Sequence, residues 1–391
     1  MLKQKQIIPI SIFLLCLITM FPISTAAINI NIVLTIVILL YYYYEDKRNR
    51  LTSIPLNLIV SIVIFCGGIL VASLAIADKD SMILCKKNIL WFAYFFSSYL
   101  LASRCRCNLI IIPAMMLAVL GLSLPAIKSF ILTGERSQGI FSNPNYLAFM
   151  FDITLPFCTV FCFKFWKEYA DLWVRIIISV VTLIGYFGLY TTGSRGAFLG
   201  VSFSLVLVYV FAKLRSKGII ISILVLILTG MMAYSGPRMF KGTFISRSYD
   251  RGRVLMIESS YAMWKDHKIF GVGLANWNKE FRNKYISKEE PNKRLLHSHN
   301  MYMQYFSTTG LVGGISFVFL IFTILFVLGS NTGIKGGYYT YAMLGSLLAF
   351  AIHGFFDVLT ISWVMKPFYV LLGISIAEIT KDKAVASYKD I

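Results

Sequence analysis

The sequence predicts an all-α, polytopic membrane protein with about 12 transmembrane helices and one long loop that contains amphipathic helices. Three observations carry this reading. Hydrophobic residues fill 58% of the 391 positions and charged residues only 14%, far from the balance of a soluble domain of this length. Mean hydropathy is +0.73. Apolar windows of about 20 residues, enough to cross a bilayer as a helix, recur along the chain with few charges inside them.

In chain order the apolar segments fall near 7–24, 25–44, 55–77, 87–103, 109–127, 147–163, 176–192, 196–213, 219–235, 307–329, 338–356 and 362–379. The opening MLKQKQ, an apolar run and STAA imitate a secretory signal. A second apolar segment follows within a few residues, which favours a retained first helix. Tyr41 to Tyr44 sit at a helix end beside charges, where an interfacial aromatic belt is expected. Every second connection is basic: Lys47, Arg48 and Arg50; Arg104 and Arg106; Lys164, Lys167 and Arg175; Lys213, Arg215 and Lys217; then Lys381 and Lys383 in the tail. The positive-inside bias therefore places both termini in the cytoplasm.

Three connections on the opposite side depart from that bias. Lys86 and Lys87 are read as snorkelling at a helix end. The loop from Lys128 to Tyr146 contains Glu135, Arg136 and the turn-forming run Ser142-Asn143-Pro144-Asn145. The segment from Gly236 to Asn300 holds 13 Lys or Arg against 6 Asp or Glu, and long loops translocate regardless of charge. Within it Val254, Ile257, Tyr261 and Trp264 recur at helical spacing, which predicts an amphipathic helix lying on the membrane. After the turn Gly271-Val272-Gly273, the spacing of Trp277, Phe281 and Tyr285 predicts a second helix, so the loop is expected to be a compact cap. The chain thus divides into helices 1–9 over 1–235, the long loop over 236–300 with the candidate site residues, and helices 10–12 with a short tail over 301–391.

The formal charge of +19 does not indicate nucleic acid, because the basic residues lie in short clusters between apolar runs; orientation and lipid phosphate account for them. The seven cysteines are Cys16, Cys66, Cys85, Cys105, Cys107, Cys158 and Cys162, none of them in the long loop. That excludes a disulfide framework there, and Cys105 and Cys107 are read as free thiols.

Three constellations can carry chemistry. Arg195, in the minimal turn Thr192-Gly193-Ser194-Arg195-Gly196, is either a snorkelling arginine or a bidentate phosphate ligand. Arg251 and Arg253, expected immediately before the amphipathic helix, are either a solvated basic face or a second anion site, since a bound anion would relieve cations at a helix N-terminus. The third is His297-Ser298-His299-Asn300, where the chain re-enters the membrane; a neutral imidazole there can take a proton from an incoming hydroxyl. Metal is not expected, because no third ligand follows the two histidines at a suitable spacing. Asp152 and Asp357, read as lying inside spans, are functional candidates by default, although one hydrogen bond to a neighbouring helix would satisfy either and that structural reading is preferred; His267 and His353 are read as structural.

Taken together these residues resemble the bacterial O-antigen ligase and polymerase superfamily of membrane glycosyltransferases. His299-Asn300, nine residues, Gly310, two residues and Gly313 fit the ligase pattern. Gly193-Ser194-Arg195-Gly196 looks like the family's arginine hairpin, and Gly252-Arg253 upstream of Gly271-Val272-Gly273 like its second arginine. Gly139 to Ala148 resembles the Asn-Pro-Asn loop. The resemblance covers roughly 136–315 and implies a GT-C-like enzyme, multi-pass in the inner membrane, with its site on the periplasmic face. It implies a donor of polysaccharide on undecaprenyl pyrophosphate, an acceptor sugar hydroxyl on the lipid A core, and transfer without cofactor or metal. Arg195 and Arg253, with Arg251 and Arg136 nearby, would hold the pyrophosphate, and His299 would activate the acceptor. Asn143, Asn145, His297 and Asn300 would line the substrate loops. An O-antigen polymerase would share the donor but extend a lipid-linked chain. A lipid or sugar transporter, the more distant alternative, would show charged or broken helices around a central cavity.

Overall fold

The computed structural model describes residues 12–17, 19, 33, 54–104, 108–168, 171–211, 247–289, 295–332, 337–360 and 363–387. These form helices and connecting turns, with no strand among them. We number the helices α1 (Leu56–Ile76), α2 (Lys79–Ala102), α3 (Asn108–Thr133), α4 (Pro144–Glu168), α5 (Leu172–Thr192), α6 (Arg195–Phe211), α7 (Arg247–Asp266), α8 (Trp277–Glu280), α9 (Met301–Gly329), α10 (Tyr338–His353) and α11 (Lys366–Ser387). Among the described residues five helices, α1, α3, α4, α5 and α9, have a stretch long and apolar enough to cross a membrane, and α6 is a shorter apolar helix. The spans expected at 25–44 and 219–235 lie outside the described residues apart from Val33, as does most of 7–24.

Local chemistry explains where the helices begin. Asp78 and Asp171 cap α2 and α5 by accepting from the backbone of Ser81 and Trp173, both at 2.9 Å. Capping by Asp78 starts α2 earlier than expected, so Lys86 and Lys87 are exposed on the flank of a helix and not at its end. Pro144 is the first residue of α4, where its missing N–H costs nothing. Asn143 caps that helix by accepting from the backbone N–H of Asn145 at 2.8 Å. The expected turn at 142–145 is therefore a helix start, with Asn145 in its first turn.

In the bundle α10 lies between α4 and α6, α11 packs on α2, α9 on α1, and α3 on α5. Small residues permit the closest approaches: a Cβ at Gly200 would stand 2.6 Å from the Ala349 carbonyl oxygen, so α6 lies directly on the α10 backbone. The apolar stretch of α4 is 83% buried, against 33% for α5, which makes α4 a central helix and α5 a peripheral one.

The described part of the long loop has its own small core of Met256, Met263, Val272, Trp277 and Phe281. Trp277 and Phe281 stack at 4.9 Å, and the Trp277 indole N–H donates to Ser260 Oγ at 2.9 Å, tying α8 to α7. A π-helical turn, Phe281–Tyr285, continues α8. Two expectations need correction. The α7 helix begins at Arg247, so Arg251 and Arg253 lie within it and not before it. Its inward face is that of Met256 and Met263; Val254 and Tyr261, of the expected apolar stripe, remain exposed.

The cap is keyed into α9 by backbone exchange. At Gly310 the backbone leaves helical geometry, with φ 63° and ψ −159°. The freed groups find partners in the connection after α7: Val272 and Gly273 donate to the Ser307 and Thr308 carbonyls at 3.0 and 2.9 Å, and Leu311 donates to the Lys268 carbonyl at 2.8 Å. Gly310 and Gly271 both have positive φ, and a Cβ on either would collide with the other segment's backbone.

Candidate active site

The arginines converge where the cap meets the bundle. Arg136, Asn145, Gly193, Ser194, Arg195, Gly196, Arg253, His353 and Phe356 line a small cleft. Gly193, at φ 57°, ends α5 in the left-handed conformation, and Arg195 opens α6 directly after it. The hairpin predicted from sequence is thus a tight α5–α6 turn. Arg136 is anchored beneath it: Nε donates to the Thr192 carbonyl at 2.7 Å and Nη2 to Asn145 Oδ1 at 3.0 Å. Arg253 reaches the same cleft from α7. Arg251 does not line it; its guanidinium pairs with Glu289 through Nε at 3.1 Å and Nη2 at 3.2 Å, on the exposed surface of the cap.

A second group of residues meets next to this cleft. His299 Nδ1 is 3.2 Å and His297 Nδ1 3.7 Å from Asp357 Oδ1. Asp357 lies in the turn after α10, not inside a span, and its Oδ2 accepts from the Asn145 amide. Hydrogen bonds thus run from Arg136 through Asn145 to Asp357, and the path continues to His299 through the 3.2 Å approach of its Nδ1 to the carboxylate. Burial would raise the Asp357 carboxyl, but the imidazoles of His299, His297 and His353 outweigh it and hold the group well below the ordinary carboxylate range. Burial lowers His297 to about 4, so it is neutral at neutral pH. His299 is held at φ 51°, one of two non-glycine residues with positive φ among those described. Such a conformation persists where the surroundings impose it.

Asn300 has a structural task as well. Its side chain caps α9 by accepting from Met303 N at 2.9 Å, and its amide donates to the Phe355 carbonyl at 3.2 Å. Asn143 is the cap of α4 and Asn145 the link between Arg136 and Asp357, so the two asparagines of that motif divide into a helix start and a site residue.

The sequence alone favours a structural role for Asp357 and misses the place of His353. Asp152 makes the interhelical hydrogen bond expected of it, to His353 Nδ1 at 2.6 Å. His353, read as structural, also lines the arginine cleft, with Nε2 3.3 Å from Ser194 Oγ. No third ligand stands near the two histidines in sequence, but the fold supplies one: donor atoms of His297, His299 and Asp357 all lie within 4.8 Å of one another. With Asp357 already accepting from Asn145 and from the Val358 backbone, the same geometry suits a base and the carboxylate that orients it.

The comparisons bear on the same region. An uncharacterized protein of Haemophilus influenzae is 25% identical over 199 residues, which span 46% of this chain and 47% of the relative. The chain thus covers about half the length of that relative. Residues 178–318, which hold Arg195, Arg253, His297 and His299, match the family model described as O-Antigen ligase. The match is confined to that segment and supports a place for this membrane protein in the O-antigen ligase/polymerase superfamily.

Proposed function

We propose that the chain is an O-antigen ligase of lipopolysaccharide biosynthesis. It transfers polysaccharide from undecaprenyl pyrophosphate to a sugar hydroxyl of the lipid A core, at the periplasmic face of the inner membrane. The observation that carries this reading is the path from the three-arginine cleft through Asn145 and Asp357 to His299. It joins an anion site to a base within one rigid group of residues.

The chemistry follows from charge. Breaking the bond between the anomeric carbon and the diphosphate builds negative charge on the leaving oxygen. Guanidinium groups fixed in advance stabilise that charge more in the transition state than in the ground state. Arg195 and Arg253 hold the diphosphate, and Arg136, braced by Thr192 and Asn145, supports the same charge. With Nδ1 turned toward Asp357, His299 keeps Nε2 for the acceptor hydroxyl and takes its proton as the hydroxyl attacks an oxocarbenium-like carbon. The carboxylate stabilises the imidazolium so formed. Displacement on the face opposite the diphosphate inverts the anomeric centre, and comparing the anomeric configuration of product and donor tests that step.

The spacing of His299, Asn300, Gly310 and Gly313 favours ligase over polymerase. A transporter would place broken helices around a central pathway, whereas the break in α9 is filled by the backbone of 268–273. Lipopolysaccharide gels of deletion and complemented strains decide among these. Loss of the ligase leaves long polymer on undecaprenyl pyrophosphate and bare core. Single repeat units on the core would identify a polymerase and overturn the reading.

A further inference from the structure

The Asp152–His353–Ser194 chain is not used by the mechanism above, yet it ends in the arginine cleft. Asp152, from α4, and His353, at the end of α10, are buried, and their polar atoms meet at 2.6 Å. His353 Nε2 faces Ser194 Oγ at 3.3 Å, and both residues line the cleft beside Arg195. The position is sterically fixed: a Cβ on Gly196 would stand 2.9 Å from His353 Cδ2, so the hairpin rests directly on the imidazole ring. A histidine needed only to fill space has no use for a buried carboxylate on one nitrogen and a site hydroxyl on the other.

We infer that Ser194 is an additional donor to the diphosphate, aimed by Asp152 and His353, and that the imidazole takes up one proton as the anion binds. This rests on reading the cleft as a diphosphate site. In the empty cleft the Nδ1–H donates to Asp152, and Nε2 accepts the Ser194 hydroxyl proton. When a phosphate oxygen enters, His353 gains a proton at Nε2 from solvent and donates it to Ser194 Oγ. The Ser194 O–H then turns to the phosphate. No covalent bond is made, and the bound state holds one proton more than the empty one. The charged groups facing His353 set the direction of this exchange. These groups are Asp152 and Asp357 on one side and Arg136, Arg195 and Arg253 on the other, and an anion entering the cleft offsets the arginines. Asp152 and His353 are positioning residues, and only Ser194 touches the substrate.

The test is calorimetric titration of the full protein in lipid nanodiscs. The probe is a diphosphate diester carrying one sugar and a short prenyl chain, whose phosphate charges do not titrate near neutral pH. The wild type should take up a proton on binding, in buffers of different ionisation enthalpy, and should lose affinity by up to about tenfold per pH unit as pH rises. His353→Gln and Ser194→Ala should bind more weakly with no such slope, and Ser194→Thr should restore it. A slope that persists in both His353→Gln and Ser194→Ala, or a wild type with none, would overturn the inference and leave the diphosphate reading standing. Should His353→Gln not fold, Ser194→Ala decides alone. Absence of wild-type binding at every pH would sink both the inference and the diphosphate reading.

Discussion

Asp357 Oδ1 lies 3.2 Å from His299 Nδ1, while the other oxygen of the same carboxylate accepts from Asn145. One side chain from the turn after α10 thus orients the imidazole and braces the residue that holds Arg136. Asp357→Asn keeps the shape but removes the charge that stabilises an imidazolium. Transfer should fall by about 10²-fold or more, mainly in kcat, while donor binding persists. Steady-state kinetics in proteoliposomes would show it, and a near-normal kcat would detach Asp357 from the chemistry. Chelator treatment of the wild type should leave the rate unchanged.

The arginines should separate by position. Arg195→Lys and Arg253→Lys replace a planar fork by a point charge and should each lower kcat/KM by about tenfold or more. Arg251→Lys should have little effect, because Arg251 is spent on Glu289 at the cap surface. A loss at Arg251 equal to that at Arg253 would show that the cap binds the anion over a wider area than the cleft.

How much of this was legible beforehand varies by residue. The hairpin at Arg195 and the cap with its own helices follow from local pattern, and both are present. The register of α7 was not legible, because the stripe of Val254 and Tyr261 is as periodic as that of Met256 and Met263, and only the packing of Val272, Trp277 and Phe281 against the helix chooses between them. Asp357 was out of reach for a different reason. Its partner Asn145 is 212 positions away, and the contact exists only once α4 and α10 pack together. Gly310 was visible as part of a spacing pattern, but its physical task, opening α9 to accept the cap's backbone, requires both segments in place.

That task makes a stability prediction. Gly310→Ala forces a side chain into a positive-φ position against the backbone of Ile269. The substitution should cost several kcal/mol locally, of the order of other strained or overpacked sites. Limited proteolysis should then cleave the connection after α7 far faster than in the wild type, with the remaining helices intact. An unchanged cleavage rate would mean that the cap is held mainly elsewhere.

Acid should loosen the same region. His297 has a folded pKa of about 4 against an ordinary 6.5, so between those values the unfolded chain binds more protons. Stability from this group is fully present above the higher value and is lost as pH falls toward the lower, up to about 3 kcal/mol. Asp357, held below its ordinary range, adds a loss in the same direction that starts only at more acid pH. Thermal unfolding should therefore show a midpoint that drops between pH 6.5 and 4, and His297→Gln should flatten the upper part of the curve. A pH-independent midpoint in the wild type would show that His297 is hydrated in solution.

The side of the membrane on which the cap lies is the premise most open to direct attack. Lys265 is exposed near the end of α7, within the segment expected to face the periplasm. The described cysteines, Cys16, Cys66, Cys85, Cys158 and Cys162, are free and buried or half-buried. With Cys105 and Cys107 replaced by Ser, a Lys265→Cys substitution should therefore react with a membrane-impermeant maleimide added to intact spheroplasts, with little background. Labelling only after lysis would put the cap in the cytoplasm, away from any lipid A core acceptor, and the ligase reading would be lost whatever the geometry of the arginine cleft.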